Sequence, residues 1–206
     1  MSVGKDRILR RSESGSDKMT IFDEAIRFAV EAHGDTTRRR TSAPYILHPL
    51  EAAVIVGTMT SDEEVLAAAV LHDTVEDTEA TIEEIRERFG DRVADLVLSE
   101  TENKYPGIPK LESWRRRKEE SLAKLKSADD ADVKMLWLGD KLSNMRSFFR
   151  AWRISGNAIW ESFNQKDPAQ QAWYYRTIVE LLSELKNYEA WQELKYLVDA
   201  VFEGVE

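Results

Sequence analysis

No cysteine occurs anywhere in the 206 residues, so disulfides and thiolate metal sites are both excluded. Any metal must be held by His, Asp or Glu, and histidine is itself scarce: His33, His48 and His72 are the only three. No apolar run approaches the roughly 18 residues needed to span a bilayer. The amino terminus also lacks the apolar stretch of a signal peptide. These absences make a cytoplasmic chain without a membrane segment the expectation. Positive charge is in deficit too: 29 Lys and Arg face 38 Asp and Glu, a formal net charge of −9. That argues against a general nucleic-acid binder, because affinity for a phosphate backbone depends on clustered cations. A small anionic ligand stays compatible where cations concentrate. Two clusters qualify: Arg38, Arg39 and Arg40, and then Arg115, Arg116, Arg117 and Lys118.

What is present reads as helix. Residues 1–18 are polar, rich in Ser and Arg and without periodicity, and are read as a flexible arm; residues 19–206 are read as one domain. Ile21 to His33 opens that domain. Pro49 suits a first helical position, with Leu50, Ala53 and Val54 on one face. Ser61 with Glu64, and Thr81 with Glu84, have capping-box spacing and start two more helices, the second stopping at Gly90. Further helices are expected over Val93–Glu102, Leu111–Lys126, Asp130–Arg150, Pro168–Lys186 and Tyr188–Phe202. Lys104 to Lys110, with Pro106, Gly107 and Pro109, reads as a loop, and Gly156 to Lys166 as a second irregular connection. No two-residue alternation with flanking turn signals is sustained, so an all-α compact bundle without a sheet is predicted.

The chemistry-bearing residues concentrate where the apolar segment AAAVLHD ends. His72, Asp73, Glu76 and Asp77 fall within about one and a half helical turns, and continued helical geometry makes Glu76 a neighbour of His72 and Asp73, and Asp77 a neighbour of Asp73. Three carboxylates so close repel unless a cation sits among them or some are protonated; a solvated acidic helix end is the competing reading. On the later helix, Val133, Leu136, Asp140, Asn144 and Ser147 share one face, while Leu138, Leu142, Met145 and Phe149 share another. A helix apolar on two sides is buried, which places Asp140 on an inward stripe. There it needs a metal or an ion pair, with Lys141 or an arginine as candidates for the pair. A mixed imidazole and carboxylate site suits Mn²⁺, Fe²⁺ or Zn²⁺, and composition does not choose among them.

At this point the sequence resembles a known family. RRRTSAPYILHPLEAA (Arg38 to Ala53) is similar to the first HD-domain signature of Rel/Spo-type alarmone hydrolases. AAAVLHDTVEDTEATIEEIRERFGDRVADLV (Ala67 to Val97) is similar to the central signature, and WLGDKLSNMR (Trp137 to Arg146) to the third. QAWYYRTIVELLSEL (Gln171 to Leu185) resembles the helix that follows. The resemblance runs from about Ile21 to Phe202 with motif order preserved. It implies an HD-type bundle in which His48, His72, Asp73 and Asp140 hold Mn²⁺. It further implies that Glu76 and Asp77 position the attacking water and move protons, that Arg39 and Arg40 meet the guanine base and phosphates, and that Asn144 and Ser147 contact the nucleoside. The implied reaction is hydrolysis of the 3′-pyrophosphate of (p)ppGpp to GDP or GTP and pyrophosphate, and the chain length is that of the small stand-alone hydrolases.

Two departures fall off the ligand positions: Gly139 stands where the family usually has Ala, and Ser143 where it often has His. A third is the run from Arg39 to Ala43, where the family favours a basic pair followed by a Gly-containing turn; it touches the base-binding side. It motivates a second reading in which the same metal site serves another nucleotide, such as an adenine alarmone or NADPH. A third reading is a non-catalytic module that binds a nucleotide or a protein partner. His33 ends an amphipathic helix and matches no ligand position, so it is expected to be structural. Arg115 to Lys118 is expected to be a solvated helix face or a partner of acidic helices. Trp173, Ile178, Leu181 and Leu185 are expected in the core, Trp152 and Trp160 in the core or at a pocket rim. Monomer and dimer are equally compatible with the composition.

Overall fold

The computed structural model describes residues 19–38 and 42–205; the expected arm over 1–18, together with Arg39 and Arg40, lies outside the described residues. Among these, ten α-helices and two 3₁₀ segments form the fold, and the sole β feature is an isolated bridge between Thr37 and Pro44. The first helix, α1 (Ile21–His33), begins at a reciprocal capping box: Thr20 accepts from the Asp23 amide and Asp23 accepts from that of Thr20. α2 (Leu47–Val56) starts two residues before Pro49, and its Val54 faces outward rather than sharing the buried face of Ala53.

α3 (Glu63–Leu71) is capped by Asp62, which accepts from the Glu64 amide, and not by Ser61 as the spacing suggests. The reason is local: Thr60 Oγ1 takes the Asp62 amide, and that turn moves the helix start on by one residue. From Ala67 to Leu71 every residue of α3 is fully buried, and the alanines let α1, α2 and α6 pack close around it. α3 ends where the Thr74 hydroxyl donates to the Leu71 carbonyl, and α4 (Thr74–Asp77) is a separate single turn. α5 (Ile82–Phe89) begins at the Thr81 cap and stops at Gly90, whose φ of 89° suits glycine. α6 (Asp91–Glu100) and α7 (Trp114–Ser127) flank the expected loop.

α8 (Ala131–Ser155) is the spine, 25 residues or roughly 37 Å long. It continues five residues beyond Arg150 and ends at Gly156, with φ of 53°. Its Leu136 joins a core made with α1, α3, α5 and α6, while Trp137, Leu142 and Met145 join a second core with α9 and α10. The connection from Gly156 to Ser162 is 3₁₀, and it buries Trp160 in that second core. α9 (Pro168–Leu181) stops short of Lys186, leaving a 3₁₀ turn over Ser183–Leu185, and α10 (Glu189–Val201) closes the bundle. Ile178 and Leu185 are buried, whereas Trp152, Trp173 and Leu181 are partly covered at the edge of the core. No helix among the described residues is long and apolar enough to cross a membrane.

Candidate metal centre and adjoining cavity

Where α2, α3 and α8 meet, four side chains turn toward one another. His48 is the second residue of α2, His72 and Asp73 follow the last turn of α3, and Asp140 comes from the middle of α8. His48 Nε2 lies 3.3 Å from Asp73 Oδ2 and 3.1 Å from Asp140 Oδ1. His72 Nε2 lies 3.2 Å and 3.6 Å from the same two oxygens. The ligating atoms of His48, His72 and Asp140 all fall within 4.8 Å of one another. The three are buried, and Asp73 is largely so.

This donor set fits a divalent cation. His72 Nδ1 is 2.8 Å from the Ala69 carbonyl, which only accepts, so Nδ1 carries a hydrogen and Nε2 is the nitrogen left to meet a cation or a proton. Nε2 is buried and makes no hydrogen bond among the described residues, although two carboxylate oxygens stand beside it. Nε2 of both histidines and oxygens of two carboxylates thus face one volume, which calls for positive charge there. The electrostatics say the same. Burial by itself lowers the affinity of His72 for a proton, yet Asp73 and Asp140 overcome it and raise His72 well above the ordinary imidazole range. His48 is raised by the same carboxylates against the same burial. Burial works to raise Asp140, but Lys141 and the two histidines hold it well below the usual carboxylate range.

Lys141 hydrogen-bonds Asp140, so the ion pair offered by the sequence exists alongside the imidazole contacts. Its ammonium also sits 3.5 Å from the buried Glu100.

Glu76 and Asp77 border this centre without entering it. Burial, followed by the charges of Asp73 and Glu102, pushes Glu76 up to about 7. Lys104 hydrogen-bonds the Glu76 carbonyl and lies 3.4 Å from Asp77 Oδ1. The helix does not continue unbroken from His72 to Asp77. From Asp73 to Asp77, however, one helical turn is kept, the Asp77 amide donating to the Asp73 carbonyl at 2.9 Å, and Tyr45 joins the two side chains, its hydroxyl 2.7 Å from Asp73 Oδ2 and 3.0 Å from Asp77 Oδ2. Burial and the two aspartates raise the Tyr45 phenol, so it stays a proton donor.

Beside the centre opens a cavity of about 560 Å³, large enough for a small molecule. Tyr45, Glu76, Arg117 and Asn144 line both it and the smaller space around the histidines. Asn144 and Ser147 both reach it, as the shared face with Asp140 implies; Asn144 Nδ2 also donates to Asp140 Oδ1 at 2.6 Å. Arg38, Lys104, Lys110 and Arg117 place four cations on its wall, a local positive concentration in an acidic chain. The positions assigned to Arg39 and Arg40 lie outside the described residues.

Sequence reasoning missed Tyr45, Lys104 and Glu100, none of which carried a compositional signal. Arg38, named in the first basic cluster, lines the cavity and donates to Asn144 at 3.1 Å. The second cluster divides. Arg115 and Arg116 pair with Glu119 and Glu120 on the solvated face, as expected, whereas Arg117 and Lys118 turn inward to Glu102. His33 is buried against the Tyr45 ring, with centroids 4.8 Å apart, and stands outside the converging group of His48, His72 and Asp140.

Comparison with known proteins agrees with the geometry. Residues 25–167 match the HD domain family. The guanosine-3′,5′-bis(diphosphate) 3′-pyrophosphohydrolase of Aquifex aeolicus (strain VF5) is 42% identical over 130 residues, 62% of this chain and 18% of that protein. The GTP pyrophosphokinase rsh of Brucella ovis is 40% identical over 129 residues, 62% of this chain and 17% of its own length. The chain therefore spans less than a fifth of these curated relatives. Two solved structures match over nearly their whole length. One from Listeria monocytogenes EGD-e has a TM-score of 0.66 at 35% identity, covering 78% of this chain and 96% of that one. A metazoan ortholog of SpoT, described as hydrolysing ppGpp, has a TM-score of 0.66 at 25% identity over 91% and 97% of the two chains. Matched through most of its length and carrying the paired His-Asp site on the expected helices, the chain belongs to the HD domain family.

Proposed function

We propose that this chain is a metal-dependent phosphohydrolase that removes the 3′-diphosphate of (p)ppGpp, giving GDP or GTP and pyrophosphate. The observation that carries the reading is the convergence of His48, His72, Asp73 and Asp140 beside a cation-lined cavity with Glu76 at its border. The names borne by the Aquifex and metazoan relatives supply the substrate. In this reading those four residues hold the metal, and Mn²⁺ is the assigned ion. A bound divalent cation supplies Lewis acidity toward water and phosphoryl oxygen.

The remaining work belongs to the chain. Glu76, with an affinity for protons near neutrality, accepts the proton of the attacking water. The water oxygen bonds to the phosphorus attached to O3′, the P–O3′ bond breaks, and O3′ leaves with the proton that Glu76 took from the water. Asp77, tied to Tyr45 and Lys104, orients the water and the Glu76 turn. Arg38, Lys104, Lys110 and Arg117 neutralise the diphosphates by charge-assisted contacts. Asn144 and Ser147, on the cavity wall, meet the nucleoside, and the family resemblance gives the base and phosphates to Arg39 and Arg40.

The test is a substrate panel with Mn²⁺-loaded protein, comparing ppGpp, pppGpp, an adenine alarmone and NADPH, with products separated by ion exchange. Pyrophosphate together with GDP or GTP as the preferred products supports the assignment. Preference for an adenine substrate keeps the phosphohydrolase and overturns the base, and inertness toward all four overturns the enzyme reading.

A further inference from the structure

The two imidazoles of the metal centre are oriented by different means. His72 passes its Nδ1 hydrogen to a backbone carbonyl, whereas His48 Nδ1 faces a hydroxyl: Ser143 Oγ lies 2.9 Å away in a fully buried position. A hydroxyl both donates and accepts, so by itself it leaves the His48 tautomer open. The next contact decides it. Ser143 Oγ is also 2.9 Å from Glu51 Oε2, and the other carboxylate oxygen, Oε1, meets the Arg146 guanidinium at 3.3 Å. A carboxylate facing a guanidinium on one side only accepts on the other, so the single hydroxyl proton of Ser143 goes to Glu51. The Ser143 oxygen is left to accept the Nδ1 hydrogen of His48, so Nε2 is the nitrogen offered to the site, facing Asp73 and Asp140.

We propose that Ser143 and Glu51 are positioning residues for the metal centre, a carboxylate–hydroxyl–imidazole relay that holds His48 in its metal-ready tautomer. Arg146 anchors the outer end. It holds Glu193 of α10 through two contacts, at 2.7 and 2.6 Å, while reaching Glu51 on α2. The relay therefore ties the carboxy-terminal helix to the first ligand of the site. The carboxylate that completes it comes from α2, one turn after His48, so Glu51 and His48 move together.

This inference rests on His48 being a ligand, and the test separates the two claims. Thr and Val at position 143 have the same shape and differ in the hydroxyl, so steric cost cancels between Ser143→Thr and Ser143→Val. Mn²⁺ affinity is measured by calorimetry on the metal-stripped full chain for both, with Ser143→Ala against wild type as a second pair that adds no bulk. The relay requires Val to bind roughly 10–100-fold more weakly than Thr, and Ala more weakly than Ser by a similar factor. In the Zn²⁺-loaded protein, the His48 Nδ1–H correlation in a long-range ¹H–¹⁵N spectrum should be protected with Ser or Thr and lost with Val or Ala. Equal affinity and equal protection within both pairs overturn the relay. His48→Ala is the control: if it retains full affinity, the ligand assignment fails and the relay with it, whereas if it loses affinity while Ser143→Val does not, the relay alone fails.

Discussion

Asp73 and Glu76 stand one helical turn apart and answer to different physics. Asp73 faces two imidazole nitrogens within 3.3 Å, and removing it strips the centre of a charge its neighbours require. Asp73→Ala is expected to lose metal and turnover together, read by metal content and pyrophosphate release; full turnover by that variant would sink the site assignment. Glu76 lies outside the ligating set, so Glu76→Gln should keep its metal and lose roughly 10²–10⁴-fold in kcat. Glu76 serves as a base only when deprotonated. Its value of about 7 makes kcat/KM fall as pH drops through about 7, or lower once a cation draws it down. The Gln variant should show no such limb, and a profile with the same limb in both proteins would assign the base elsewhere. The histidines carry the opposite sign: both bind protons more tightly than a free imidazole, so a metal must displace those protons. Mn²⁺ affinity should therefore still be rising above about pH 6.5, with proton release detected by calorimetry in buffers of different ionisation enthalpy.

Helix packing sets where those residues stand, and α2 against α8 is the decisive pair. A Cβ on Gly139 would lie 2.6 Å from Val56 Cγ2 and 2.9 Å from the Ala52 carbonyl oxygen. The second contact is with backbone, so it is relieved only if the helices part. Gly139→Ala is expected to cost about 1–3 kcal/mol, a fall of roughly 2–12 °C in Tm for a chain of this size, and to weaken metal binding because α2 carries His48. An unchanged Tm would mean that the two helices are free to separate. Elements of this kind were legible in the sequence where their signals are local. The bounds of α1, the Thr81 cap and the Gly90 stop depend on residues within a turn of each other. The start of α3 was misplaced by one residue because Thr60 captures the Asp62 amide, a competition invisible to capping-box spacing. The face of α8 that joins Asp140, Asn144 and Ser147 followed from helical periodicity, and all three border the site. The partners of that face did not follow, because Tyr45 with Asp73 and Arg38 with Asn144 are brought together over 28 and 106 residues by packing.

The molecule as a whole holds two cores joined by α8, with the candidate centre placed where the first core meets that spine. A cation bound there draws on α2, α3 and α8 at once and should stabilise the assembly by linkage. At about 100 times its dissociation constant, Mn²⁺ is worth about 2.7 kcal/mol, or roughly 5–11 °C in Tm, in a scan with and without metal. The shift should vanish in Asp73→Ala. The reading of the whole chain owed most to motif order: the local HDTVEDT string marks a site, but only the resemblance united His48 and Asp140 with it, across 92 residues of sequence. The most direct measurement is turnover of ppGpp by the full chain, stripped of metal and then titrated with Mn²⁺, following pyrophosphate and GDP together. Equimolar release of both that appears only with Mn²⁺ is the expected result. Metal-loaded protein that leaves ppGpp intact, or turnover that is indifferent to metal, would contradict a metal-dependent 3′-pyrophosphohydrolase.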